Sequence, residues 1–214
     1  YGTMISKDGS RYEGEWAEDV KNGQGMLTTS NGEKYTGQFV NGVKSGQGIY
    51  TLPNGEVYTG TFAAGEPNGH GIHTYPDGGR YEGEFKNSLY EGQGTLILPD
   101  GKKYVGEFSR GKAKGNGTLS LANGEKYIGE FVDGIGNGKG KYLFPDGTVY
   151  EGEWKGFKYD GKGKLIFSDG IYNGQFKNGQ RNGIGKLILS DGETYVGNWK
   201  DDKKNGYGIL TLPN

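Results

Sequence analysis

The sequence contains no cysteine and only 2 histidines among 214 residues. A disulfide framework, a thiol nucleophile and a thiolate metal site are therefore excluded. Large aliphatic residues are scarce: Leu, Ile, Val and Phe number only 41. A conventional globule around a large aliphatic core is not expected. No run approaches 18 apolar residues, which excludes a transmembrane helix. Net charge is only -1, so the self-repulsion that keeps disordered chains open is weak. No signal peptide is evident and the chain begins at Tyr1, as expected of an excised segment.

What the chain has in excess is glycine, at 45 residues, and aromatics, with 16 Tyr, 9 Phe and 3 Trp. No Gly-X-Y triplet runs through it, which excludes collagen. The glycines instead follow a long period. Tyr-x-Gly-x-aromatic occurs nine times, pairing Tyr12 with Trp16, Tyr35 with Phe39, Tyr58 with Phe62, Tyr81 with Phe85, Tyr104 with Phe108, Tyr127 with Phe131, Tyr150 with Trp154, Tyr172 with Phe176 and Tyr195 with Trp199. The step is 23 residues except from Tyr150 to Tyr172, where it is 22. Eleven residues after each Tyr stands Gly-x-Gly, and seven beyond that the Gly of Asn-Gly or Asp-Gly. Residues 1–11 are the tail of an earlier repeat, and the array is read as one domain over 1–214.

Each repeat reads as two strands, at 11–16 and 23–29 and their equivalents, with no helix longer than one turn. Tyr12, Gly14 and Trp16 share one face and Glu13 and Glu15 the other. Folding back is expected to oppose Trp16 to Gly23, Gly14 to Gly25 and Tyr12 to Leu27. The glycines leave shallow sites where rings lie flat on backbone. Asn-Gly and Asp-Gly supply the positive φ that tight connections need. The predicted fold is all-β, an elongated single-layer antiparallel meander of about 19 strands, roughly 85–90 Å long, twisted into a rod. With no second sheet to cover the rings, part of each is expected to line an exposed aromatic groove. In the shortened seventh repeat the ladder is expected to keep its face while the Asp169-Gly170 turn changes geometry.

Tyr81-Glu82-Gly83-Glu84-Phe85 and Tyr150-Glu151-Gly152-Glu153-Trp154, with the Gly-x-Gly and Asp-Gly elements that follow, resemble the MORN repeat (membrane occupation and recognition nexus). The likeness covers essentially the whole chain. It implies a non-enzymatic scaffold that binds proteins, cytoplasmic and associated with cytoskeleton or membrane. The array looks most like the repeat arrays of protist cytoskeletal scaffolds. The family also carries a proposed lipid-binding role, so an anionic phospholipid-binding recruitment module, attached to an enzyme elsewhere, is the second reading.

Candidate sites follow. A partner helix or peptide is expected along the groove formed by the eighteen ladder aromatics named above. Leu89, Tyr90, Phe157 and Tyr159 fall where loops are expected, and serve either contact or local packing. Trp199, Tyr207, Ile209, Leu210 and Leu212 are expected to join a homodimer through the terminal strand. His70 and His73 lie three apart on one strand and so point to opposite faces, which argues against a metal pair. The Glu82/Glu84 pair reads as a solvated sheet face. No catalytic set, metal or cofactor site is assembled, and no nucleic-acid partner is expected. The outer face turns more apolar from the fourth repeat, with Ile97, Val105, Ile128, Leu143, Ile166, Ile188 and Val196. Charge is split as well. Residues 1–101 carry 7 basic and 13 acidic groups, and residues 102–214 carry 18 and 13. That asymmetry suits either subunit pairing or anionic lipid headgroups.

Overall fold

The computed structural model describes residues 1–213, so Asn214, where the sequence reading ends the array, lies outside the described residues. The chain divides into two compact units, Tyr1–Lys112 and Ala113–Asn214. Among the described residues there are nineteen strands and no helix. The first unit holds β1 (Gly2–Ile5), β2 (Arg11–Ala17), β3 (Val20–Thr28), β4 (Lys34–Val40), β5 (Val43–Thr51), β6 (Val57–Ala63), β7 (Glu66–Thr74), β8 (Arg80–Lys86), β9 (Leu89–Ile97) and β10 (Lys103–Ser109). The second holds β11 (Lys112–Ser120), β12 (Lys126–Val132), β13 (Ile135–Leu143), β14 (Val149–Lys155), β15 (Lys158–Phe167), β16 (Gly170–Lys177), β17 (Gln180–Leu189), β18 (Thr194–Lys200) and β19 (Lys203–Thr211). Within each unit every strand pairs antiparallel with the next. The fold is an all-β meander of tandem hairpin repeats.

Two kinds of turn alternate. Between repeats, the Gly32 N–H donates to the Thr29 carbonyl at 3.0 Å, and the Thr29 N–H to the Glu33 carbonyl at 2.9 Å. Gly32 has φ 90°, as the bulge closing such a loop needs. Within a repeat, a two-residue turn joins the strands, and both of its residues have positive φ. In the first repeat these are Glu18 at 48° and Asp19 at 58°. Neither is glycine in this repeat, although the same two positions are Asn41-Gly42, Asp133-Gly134 and Asn178-Gly179 elsewhere.

The expected pairing holds at Tyr12–Leu27 and Gly14–Gly25 but not at Trp16–Gly23. Trp16 pairs instead with Lys21, across a register shift. The second strand therefore starts at Val20 rather than Gly23, and Gly23 faces Phe39 of the next repeat. The shift is a bulge at Gly23, whose φ is 96°. In the shortened repeat, Leu165 pairs with both Tyr150 and Tyr172, so the ladder keeps its face. The connection there is a two-residue turn, Ser168-Asp169, closed by Phe167 opposite Gly170.

Candidate binding surfaces

The ladder is built on glycine. A Cβ at Gly25 would lie 2.5 Å from Tyr12 Cε2, so the Tyr12 ring fills the space a side chain would take. The Tyr12 hydroxyl donates to the Glu15 carbonyl at 2.9 Å. Trp16 and Phe39 approach that ring edge-on, each with centroids 5.1 Å away. Seven of the nine ladder tyrosines, all but Tyr104 and Tyr195, are shown gripped in this way by the closing aromatic of their own repeat and of the next. Burial holds the phenols neutral, pushing Tyr35, Tyr58, Tyr127 and Tyr172 up to about 12.

In six repeats the side chain opposite the closing aromatic covers the tyrosine's outer surface. Lys21 lies 5.2 Å over the Tyr12 ring. Tyr90 stacks on Tyr81 at 3.6 Å and Tyr159 on Tyr150 at 3.7 Å. Arg181 covers Tyr172 and, at 4.3 Å, Trp199. Where this position is Gly136, Phe157 reaches over from the neighbouring turn. A Cβ at Gly136 would meet the Phe157 ring at 2.7 Å, and Phe157 meets Tyr127 edge-on at 5.5 Å.

These contacts correct the expected groove. All the ladder aromatics except the half-buried Trp16 are buried, none more than 6% exposed. Single-layer geometry does not leave them open, because backbone glycine closes one side and the covering residues close the other. Tyr90 and Tyr159 lie on strands β9 and β15 and not on loops, and are spent on local packing, whereas Phe157 sits in a turn, packs on Tyr127 and stays 39% exposed. Leu89 remains exposed. Trp199 is buried under Arg181 and is no surface contact. Tyr207, Ile209, Leu210 and Leu212 on and beside β19 are exposed.

His70 pairs with Glu84 on the outer face, whereas His73 pairs with Tyr81 on the ladder face. His73 Nε2 lies 3.0 Å from Glu56 Oε2, and its Nδ1 lies 3.3 Å from the Tyr90 hydroxyl, which also bonds Tyr75. This cluster continues a packing row in which Tyr142 donates to Glu125 at 2.5 Å. No group of three or more His, Cys, Asp or Glu side chains among the described residues is placed to hold a metal. The residue before the closing aromatic, Glu or Gln in seven of the nine repeats, has in three of them a structural task that its sequence context did not reveal. Glu15 and Glu130 accept the N–H of Gln24 and Lys139 at the bulge, each at 3.1 Å, as Gln175 does from Ile184 at 2.9 Å.

The outer face has no layer over it, yet presents Ile49, Val105, Ile128, Ile166, Ile188 and Val196 to solvent. The repeat unit itself decides the family. The MORN repeat model matches nine consecutive segments, residues 12–34, 35–57, 58–80, 81–103, 104–126, 127–149, 150–171, 172–194 and 195–214. The chain belongs to the MORN-repeat family. Among curated proteins none matches this MORN array. Among solved structures, the CPAP G-box domain aligns over 100% of the array and 99% of its own chain, at 16% identity and TM-score 0.46. A mutant TCP10 domain of Danio rerio CPAP aligns over 100% of both chains, at 17% identity and 0.46. The SAS-4 (dCPAP) TCP domain of Drosophila melanogaster, in complex with a proline-rich motif of Ana2 (dSTIL), aligns over 72% of the array and 85% of its own chain, at 16% identity and 0.46. Likenesses at this level say nothing about what the MORN array binds.

Proposed function

We propose that this MORN array is a non-enzymatic scaffold that binds partner proteins on its open sheet face and self-associates through β19, at a cytoskeletal or membrane-associated location. One observation carries the reading. The outer face is uncovered and still displays aliphatic side chains, such as Ile49 at 47% and Val196 at 44% exposure. Uncovered apolar surface of this kind marks interaction sites. The ladder contributes rigidity and is not the contact surface. Affinity capture on the immobilised chain, followed by hydrogen-exchange mapping with the captured protein, tests this. Protection is expected on residues of the outer face. Protection confined to the ladder tyrosines would defeat it.

Self-association is supported by Tyr207 at 92% and Ile209 at 73% exposure on a strand paired, among the described residues, only with β18. Light scattering of the chain at high concentration should give a dimer mass, reduced to a monomer by Ile209→Lys. A monomer mass at every concentration and salt would end that part of the proposal. The lysine excess of residues 102–214 supports the alternative, an anionic phospholipid-binding module. Vesicle co-sedimentation at physiological salt separates the two readings.

A further inference from the structure

Register places five aliphatic residues in one line across the outer face of β13–β17. Leu143 pairs with Val149, Val149 with Ile166, Ile166 with Ile171, and Ile171 with Ile188. Ile166 and Ile188 are exposed, at 36% and 40%, and the other three are half-buried. One step along the strands runs a parallel row, Lys141, Glu151, Lys164, Asn173 and Lys186. A further step brings Lys139 opposite Glu153 and Lys162 opposite Gln175. All five lysines are exposed. None of them forms an ion pair among the described residues, although two glutamates stand between them. Beyond the other side of the aliphatic line lie turns carrying Asp146, Asp169 and Asp191.

The same molecule supplies a control. In the first unit, the line equivalent to the aliphatic one reads Arg11, Thr28, Lys34, Thr51, Val57 and Thr74 from β2 to β7. The row equivalent to the first lysine row reads Glu13, Met26, Thr36, Ile49, Thr59 and Ile72, without a lysine. The hairpins are the same, so the fold requires neither the aliphatic line nor the lysines. Their coincidence on β13–β17 points to a ligand.

We propose that the outer face of β13–β17 binds an amphipathic α-helix lying across the strands, acidic on the flank that meets the lysines. This rests on the scaffold reading and gives it a surface and a partner chemistry. Spacing selects the helix. Strands stand about 4.8 Å apart, so the aliphatic line repeats at that interval over about 19 Å. A helix repeats its stripe about every 5.4 Å, an accumulated mismatch of only about 2.4 Å over four intervals. An extended peptide repeats each face about every 6.8 Å, and the mismatch grows to about 8 Å. About 13 helical residues span the line. The nearer lysine row lies about 7 Å from it, within reach of the acidic flank of a helix about 10–12 Å wide. A flat anionic membrane fits less well, because the apolar line is one residue wide and the turn aspartates on its far side repel anionic headgroups.

A display library of 15-residue helices selected against the full chain tests the proposal. Enriched sequences should carry an aliphatic stripe with Asp and Glu concentrated on one flank. Their affinity should fall at least tenfold for Ile166→Thr with Ile188→Thr, and equally for Lys164→Thr with Lys186→Thr. Threonine occupies equivalent positions in the first unit, and matching circular dichroism would confirm that both variants fold. Selected helices that bind the variants as tightly as the parent would overturn this surface while leaving the scaffold reading standing. Failure to enrich any helix would also overturn it. So would vesicles of phosphatidylserine and phosphatidylcholine binding with the same lysine dependence while helices do not.

Discussion

Replacing Gly94 by alanine should damage the array through one ring, and the cost is calculable. The added Cβ would lie 2.5 Å from Tyr81 Oη and 2.6 Å from Cε2. Ordinary carbon contacts are about 3.5–4.0 Å, so the ring must retreat by about 1 Å. It has no room to do so, because Tyr90 stacks on its other side at 3.6 Å and 11°. Tipping the ring instead breaks the hydrogen bond from Tyr81 Oη to the Glu84 carbonyl, 2.9 Å long. Overpacking costs about 1–3 kcal/mol and the lost bond about 1 kcal/mol. Reduced freedom of the unfolded chain returns about 0.4–1 kcal/mol. The net expectation is a loss of about 2–3 kcal/mol, read by urea unfolding and localised by hydrogen exchange on β8 and β9. In a Tyr81→Ala background the methyl enters vacated space, and the loss should nearly vanish. An equal cost in both backgrounds would refute the claim that glycine is there to seat the ring.

Three further outcomes are expected. Because the phenols of Tyr35, Tyr58, Tyr127 and Tyr172 stay neutral up to about 12 when folded, against an ordinary 10, the unfolded chain releases their protons first. Their contribution is intact below pH 10 and lost between 10 and 12, so thermal melts should collapse in that window; melts unchanged to pH 12 would contradict it. Trp154 Nε1 is buried without a partner, whereas Trp199 Nε1 donates to the Gly185 carbonyl at 3.3 Å. Trp199→Phe should therefore cost about 1 kcal/mol more than Trp154→Phe by urea unfolding, and the reverse order would count against the assignment. Phe157→Ala should lose about 1–2 kcal/mol by uncovering Tyr127 while keeping a strained φ of 57°. Phe157→Gly, free of that strain, should lose about 1 kcal/mol less, and equal losses would show that backbone strain is not felt there.

Much of this architecture is legible in the residues. The 23-residue period, the alternation in Tyr12-Gly14-Trp16 and the apposition of Gly14 with Gly25 give the meander and its face. The 22-residue step gives the altered turn after Phe167. Three features are legible only in part or not at all. The within-repeat turn is Asn41-Gly42, Asp133-Gly134 and Asn178-Gly179 in three repeats, which do signal positive φ, but Glu18-Asp19, Asn87-Ser88 and Asp201-Asp202 in three others, which do not. The bulge at Gly23 looks in sequence like ordinary strand, because the Gln24 N–H beside it donates to the side chain of Glu15. Burial of the ladder is hidden because the covering position is chemically promiscuous, being Lys21, Lys44, Pro67, Tyr90, Tyr159 or Arg181 by repeat. The outer-face line of five aliphatics is half visible. Leu143, Ile166 and Ile188 stand out, but Val149 and Ile171 join them only once register is known.

The central claim is that the aromatic ladder is the core and that partners meet the opposite face. Hydroxyl-radical footprinting of the free chain, read residue by residue by mass spectrometry, tests the first half directly. Tyr1 and Tyr207, each 92% exposed, should oxidise rapidly, while Tyr12, Tyr81, Tyr150 and Tyr172, none above 1%, should be protected at least tenfold. Ladder tyrosines oxidising as fast as Tyr207 would mean an open aromatic groove, and the account would fail.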